Sequence, residues 1–205
     1  MGQAAQSSKI RGLLFQWWVS GLIVVAILVL TLPGDMFLRS LALHGPAVAE
    51  GQWWLILTSQ LVHLSLNHAL LNVAGYLFVV YCFRRELSPA QELIILSVSM
   101  LAVGLGIYWF NPEIVWYYGL SGAIYGVLIG CVLANAPRMP VISGLFFMFV
   151  VGKVVYEQFF ASPDRVTAQL IGGPVAIDAH LYGLLIGLFL GVAWLGKDLF
   201  YRADQ

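Results

Sequence analysis

The chain has 205 residues, of which 60% are hydrophobic and only 10% charged, with ten basic and ten acidic side chains and a mean hydropathy of +0.88. This balance excludes an ordinary soluble domain, and the lack of a basic excess argues against a nucleic-acid partner. At roughly 20 apolar residues per crossing, the length allows about six membrane spans and leaves no room among them for a soluble domain. The fold class expected is therefore an all-α membrane protein, a single six-span domain over 1–205.

Taken in order, the spans are predicted at Leu13–Leu32, Leu66–Phe83, Ala90–Phe110, Ser121–Ala136, Val141–Phe160 and Ile177–Gly196, with 1–12 as a short cytoplasmic segment. The first run follows Lys9 and Arg11 as a secretory signal would, but it is too long for a signal core, and Ala47-Val48-Ala49 lies well past its end. Cys82 and Cys131 have no paired spacing and read as core packing. Lys9, Arg11, Arg84, Arg85, Arg138, Lys197 and Arg202 all fall on one side, against Arg39 and Arg165 on the other. Positive charge thus puts both termini in the cytoplasm, and spans four and six run parallel from outside to inside.

Those two spans carry glycine ladders: Gly122, Gly126 and Gly130 in the fourth, Gly183, Gly187 and Gly191 in the sixth. Glycines four apart share one helix face and allow two backbones to approach closely. Span four has 16 residues before Pro137, about 24 Å of helix against a hydrocarbon core of roughly 30 Å. Ser121 at its head therefore sits below the outer face, and His180, three residues before Gly183, lies at similar depth on the ladder face. Serine needs a neighbouring base to become a nucleophile, and histidine can take the proton and return it to a leaving amine. A dyad suffices if the ring is oriented otherwise. Asp178, two residues before His180, faces away from the place of a third member, whereas Tyr125, one turn below Ser121, can stack on the imidazole. The helix amino terminus at Ser121 offers unpaired N–H groups for an oxyanion. His68 and Asn72, four apart at the outer end of span two, can supply more.

These motifs together resemble the rhomboid family of intramembrane serine proteases. The similarity lies in His63-x4-His68-x3-Asn72, in Gly119-x-Ser121-Gly122 with Tyr125, and in His180-x2-Gly183-x3-Gly187, on spans two, four and six. The resemblance implies a rhomboid-like six-helix bundle, a Ser121 nucleophile, a His180 base, and an oxyanion site from Asn72, His68 and the backbone at Gly119, Leu120 and Ser121. It further implies cleavage of membrane-spanning protein substrates within the lipid bilayer near its outer face, without cofactor. In a bacterium the site would open to the periplasmic side of the inner membrane. The first external connection departs from the family, with Trp53-Trp54-Leu55 where many members carry Trp-Arg. That variant, on a compact core, is similar to the rhombosortase branch, which is thought to process carboxyl-terminal Gly-Gly sorting tails.

Each motif alone also has a plainer reading. Gly-x-Ser-Gly is common helix packing, a histidine at a span's end is commonly hydrogen-bonded there, and His63 reads as a brace for the external loop. Only the ordered set points to catalysis. Lys153 and Glu157, four apart in span five, read as the single opposite-charge pair deep in an apolar segment, either a structural ion pair or a gate that reads a substrate feature. A metal site is disfavoured because His63 and His68, five apart, diverge on a helix. The non-enzymatic rival is a rhomboid-like protein that binds membrane clients without cutting them.

Overall fold

The computed structural model describes the backbone of residues 2–160 and 165–203, and side chains within 12–160 and 166–195 apart from those of 13 and 14. Lys9, Arg11, Arg165, Lys197 and Arg202, which carry much of the expected charge asymmetry, lie outside the described side chains. Among the described residues ten helices follow one another: α1 Gly2–Thr31, α2 Asp35–Leu41, α3 Gly45–Ala49, α4 Leu55–Thr58, α5 Leu66–Phe83, α6 Pro89–Phe110, α7 Ser121–Asn135, α8 Pro140–Phe159, α9 Arg165–Ile171 and α10 Ile177–Ala203. Among the described residues the only strand-type pairing is an isolated bridge between Leu43 and Tyr117.

Local sequence explains the boundaries. Ser65 caps α5 by accepting from the His68 N–H at 3.1 Å, and Ser88 with Gln91 forms a capping box ahead of Pro89 at the start of α6. α1 ends where Pro33 and Gly34, the latter at φ 67°, interrupt it, and the chain turns by 116° into α2. Among the described residues four helices are long and apolar enough to cross a bilayer: α5, α6, α8 and the Ile177–Leu195 part of α10. Phe15–Thr31 of α1 together with α2 meets the same test as one bent unit, a broken span or a re-entrant loop. α7 has only 15 residues, yet ten of them are buried and it packs against α5, α6, α8 and α10. A helix surrounded by protein can be shorter than the bilayer, because its ends meet other helices instead of lipid.

The outer surface carries the lipid-type residues, among them Leu22, Val25, Leu145, Met148 and Phe189. Cys131 is buried as expected, but Cys82 is exposed, because Val79, Val80 and Phe83 take the inward side of α5. Alternation of the helices collects the α5–α6 link, the α7–α8 link and the late part of α10 at one end, where Glu86, Arg138 and Trp194 line a common cleft. The sequence expectation of one deep charge pair needs correction, since Glu92 of α6, fully buried, pairs with Arg84 at 2.7 Å. Its carboxylate also accepts from Ser20 at 2.5 Å and Tyr76 at 2.6 Å. A buried carboxylate is stable only with such partners, and these tie α1, α5 and α6 together.

At the opposite end, the connection between α1 and α5 folds into α2, α3 and α4 over a small core of Leu43, Val48, Leu55 and Ile56 with Val103 and Ile107. Leu55, which stands where a family arginine was expected, is 2% exposed, so an apolar residue suits that position.

The glycine ladders interlock. A Cβ on Gly122 would lie 2.6 Å from the Ala179 carbonyl, one on Gly187 would lie 2.6 Å from the Gly126 carbonyl, and one on Gly183 would collide with the Gly122 carbonyl. By contrast, Gly144 and Gly152 on α8 face open space. Gly183→Ala should therefore force α7 and α10 apart at a cost of about 1–3 kcal/mol, lowering the melting temperature by roughly 2–4 °C for each kcal/mol. Gly152→Ala should leave it unchanged or raise it. Thermal unfolding of the purified protein in detergent checks both.

Candidate active site

The three helix ends that matter lie at the same end of the bundle because neighbouring spans alternate. Ser121 is the first residue of α7, His180 the fourth of α10, and Glu157 lies two residues before the end of α8. His180 Nε2 is 3.1 Å from Ser121 Oγ, a hydrogen-bond distance, and His180 itself is buried. Tyr125 stacks on the imidazole as its position one turn below Ser121 suggested, with centroids 4.5 Å apart and planes 13° from parallel.

Glu157 has partners on two helices. Its Oε2 accepts from His180 Nδ1 at 2.8 Å, while its Oε1 is paired with Lys153 Nζ. Both oxygens are engaged and the residue is buried, outside the lining of the cavity, which matches the ion-pair reading of its two alternatives. Lys153 lies closer to the gate reading, since it lines the cavity and its side chain is about 43% exposed. The alternation of spans was the signal that could have found this contact, because the end of span five must lie near the heads of spans four and six. Asp178 faces elsewhere, as expected, accepting from Asn111 at 2.8 Å.

The expected donors also sort themselves by their partners. The Gly119 N–H donates to the Ser59 carbonyl at 3.0 Å, and the Leu120 N–H points at His63 Nε2 at 3.4 Å. These two backbone groups, counted among the oxyanion donors in the sequence reading, are thus engaged in holding the turn. Ser121 differs, since first-turn residues have no intrahelical acceptor for their N–H. Asn72 donates one N–H to the His68 carbonyl at 3.2 Å, and an amide nitrogen carries a second. His68 and Asn72 line the same cavity as Ser121, Tyr125, Lys153 and His180, about 500 Å³ in volume. Gly119 is needed here, because it adopts φ 108° and a Cβ would sit 2.7 Å from the His68 ring.

His63 braces this turn, packed edge-on against His68 with ring centroids 4.8 Å apart. The turn is tied further to the α1–α5 connection by the Leu43–Tyr117 bridge and by His44 stacked on Trp116 at 4.4 Å. Ser65, besides capping α5, donates to the Ile171 carbonyl at 2.7 Å and fastens α9 beside the cavity.

Among the described residues no group of three or more His, Cys, Asp and Glu side chains is placed to hold a metal ion.

The family model of the Rhomboid domain matches residues 50–197, nearly three quarters of the chain and every helix from α4 to most of α10. The chain belongs to the rhomboid family. It is 25% identical over 150 residues to the rhomboid-protease homologue YdcA of Bacillus subtilis (strain 168), covering 73% of this chain and 71% of that one. It is 27% identical over 150 residues to the rhomboid protease GlpG of Enterobacter sp. (strain 638), covering 73% of this chain and about half, 51%, of that relative. The helical bundle described above is accordingly that of a multi-pass integral membrane protein of this family.

One consequence of the brace can be measured. Burial, with His68 close by, pulls His63 down to about 3, so the folded protein holds it neutral while the unfolded chain protonates it below about 6.5. The unfolded state then binds more protons, and stability falls as pH drops from about 6.5 toward 3. His63→Gln, which keeps an acceptor for Leu120, should remove that part of the slope. Melting temperature recorded against pH for the two proteins checks it, and an unchanged slope would exclude His63 as its source.

Proposed function

We propose that the protein is an intramembrane serine endopeptidase that cuts membrane-anchored proteins near the outer face of the bilayer. The observation that carries the reading is the 3.1 Å contact between Ser121 Oγ and His180 Nε2 at the wall of a roomy cavity. Ser121 attacks a substrate carbonyl carbon as its proton passes to His180 Nε2, and the carbonyl electrons move onto oxygen. The oxyanion is met by the Ser121 N–H at the head of α7, by His68 and by the second N–H of Asn72. Collapse breaks the C–N bond, and His180 returns the proton to the departing amine. Water then attacks the acyl ester and gives a proton to His180; the C–Oγ bond breaks, and His180 returns that proton to Ser121 Oγ.

The substrate is proposed to arrive as a locally extended segment. A helix cannot offer its carbonyls to Oγ until it unwinds locally, and glycine lowers that cost by about 1 kcal/mol per residue relative to alanine. Substrates with glycine near the outer end of a span are the class proposed, and the Trp53-Trp54-Leu55 resemblance to rhombosortases directs this to carboxyl-terminal Gly-Gly sorting tails. Lys153 is the charge such a segment meets on the wall. The charge asymmetry supports cytoplasmic termini with the site on the opposite side, and likeness to bacterial relatives supports an inner membrane whose outer side is the periplasm.

Ser121→Ala and His180→Ala should each abolish cleavage of a co-expressed Gly-Gly tail protein while remaining folded. Asn72→Ala should lower kcat by about 10²–10³ with little change in KM, as loss of one oxyanion donor does. The new terminus is mapped by mass spectrometry and kcat measured on purified protein. Cleavage surviving in Ser121→Ala would overturn the reading.

A further inference from the structure

Glu157 is a carboxylate in an apolar helix, and removing such a group from water is costly unless both oxygens are satisfied. Here each has a separate partner. Oε1 is held by Lys153, one turn earlier on α8, and Oε2 meets His180 Nδ1 on α10 at 2.8 Å. Two anchors on different sides fix the plane of the carboxylate. The ring it meets is held on its face as well by Tyr125 at 4.5 Å, whose own ring lies 6.0 Å from the Lys153 ammonium.

A carboxylate accepts hydrogen bonds and does not donate them, so its contact with Nδ1 requires the proton of the neutral ring to sit on Nδ1. The lone pair is then on Nε2, facing Ser121 Oγ at 3.1 Å. This is the tautomer a general base needs. We infer that Glu157 is a positioning residue for the proposed reaction: it fixes the tautomer and plane of His180 and stabilises the imidazolium that forms when Ser121 gives up its proton. The constellation is thus a triad, Ser121–His180–Glu157, whose acidic member arrives from a different helix than either partner. The carboxylate takes no proton. It keeps the Nδ1–H bond throughout, while the transferred proton moves between Ser121 Oγ, His180 Nε2 and the leaving amine. Lys153 sets the carboxylate in place, and its i,i+4 spacing from Glu157 lets one helix face supply both groups.

This inference rests on the protease reading, and its tests separate the two. Glu157→Gln keeps the shape and an acceptor for Nδ1–H but removes the charge facing the imidazolium. It should lower kcat by about 10²–10⁴, the upper end being the effect of the equivalent change in a serine-protease triad. KM should stay unchanged, and Glu157→Asp, which restores the charge one methylene short, should fall between Gln and the parent. A purely structural role would move the melting temperature without this ordering in kcat.

The chain has only four histidines, so a ¹⁵N-histidine spectrum of the intact protein in mildly alkaline buffer can resolve the rings, with His180 assigned by its loss in His180→Ala. The parent should show the Nδ1–H form. Parental kcat in Glu157→Gln, or a parent ring protonated at Nε2 with Nδ1 bare, would overturn the assignment. If the Gln variant does not fold, the parent spectrum decides alone. Should Ser121→Ala remain active, the protease reading itself fails. Should Ser121→Ala be inactive while Glu157→Gln is parental, only the role of Glu157 falls.

Discussion

Everything in this molecule depends on two helices touching backbone to backbone. Where α7 and α10 cross, the carbonyls of Gly122, Gly126 and Ala179 occupy the space that side chains on the facing glycines would need. No hydrophobic effect drives helices together inside lipid, so the gain must come from close packing over that smooth face. The contact fixes more than stability. Ser121 opens one ladder and His180 stands one turn above the other, so the packing that holds the bundle together also sets the distance between hydroxyl and imidazole.

The second constraint is the handling of charge. Among the described residues two carboxylates lie buried among apolar helices, and each is saturated by partners. Glu92 joins Ser20, Tyr76 and Arg84 where α1, α5 and α6 meet, and none of these four residues lines the large cavity. Glu157 joins Lys153 and His180 at the edge of that cavity. Similar physics thus serves two ends: at one end of the bundle the network is a fastening, and at the other it orients a ring. The turn before Ser121 is handled likewise. The N–H groups of Gly119 and Leu120 are engaged by Ser59 and His63, which stiffens the approach to α7 and leaves the first-turn N–H of Ser121 directed by the helix.

Much of this was legible in the chain before any coordinate. Five of the six anticipated spans match helices within a residue or two at their starts, because apolar runs bounded by Pro89, Pro140 and the Ser65 cap have few alternatives. The exception, α1, begins at Gly2, well before Leu13, since a helix nucleated by its span extends into polar sequence at little cost. The ladder spacing also pointed to the neighbours of Ser121 and His180. What stayed hidden depends on side-chain direction across helices. The partner of Glu157 could not be chosen from spacing along α8, which shows Lys153 and nothing of α10. The pairing of Arg84 with Glu92 crosses a link, and the short helices α2, α3, α4 and α9 lack the length that makes periodicity readable.

The central claim is that Ser121 Oγ and His180 Nε2 share a proton in a cavity furnished to hold an oxyanion. It is tested most directly by the structure of the protein after reaction with a fluorophosphonate. The account predicts phosphorus bonded to Ser121 Oγ, the phosphoryl oxygen within hydrogen-bond distance of the Ser121 N–H and of His68 or Asn72, and His180 still joined to Glu157. An adduct on another residue, or a phosphoryl oxygen turned away from those donors, would contradict it.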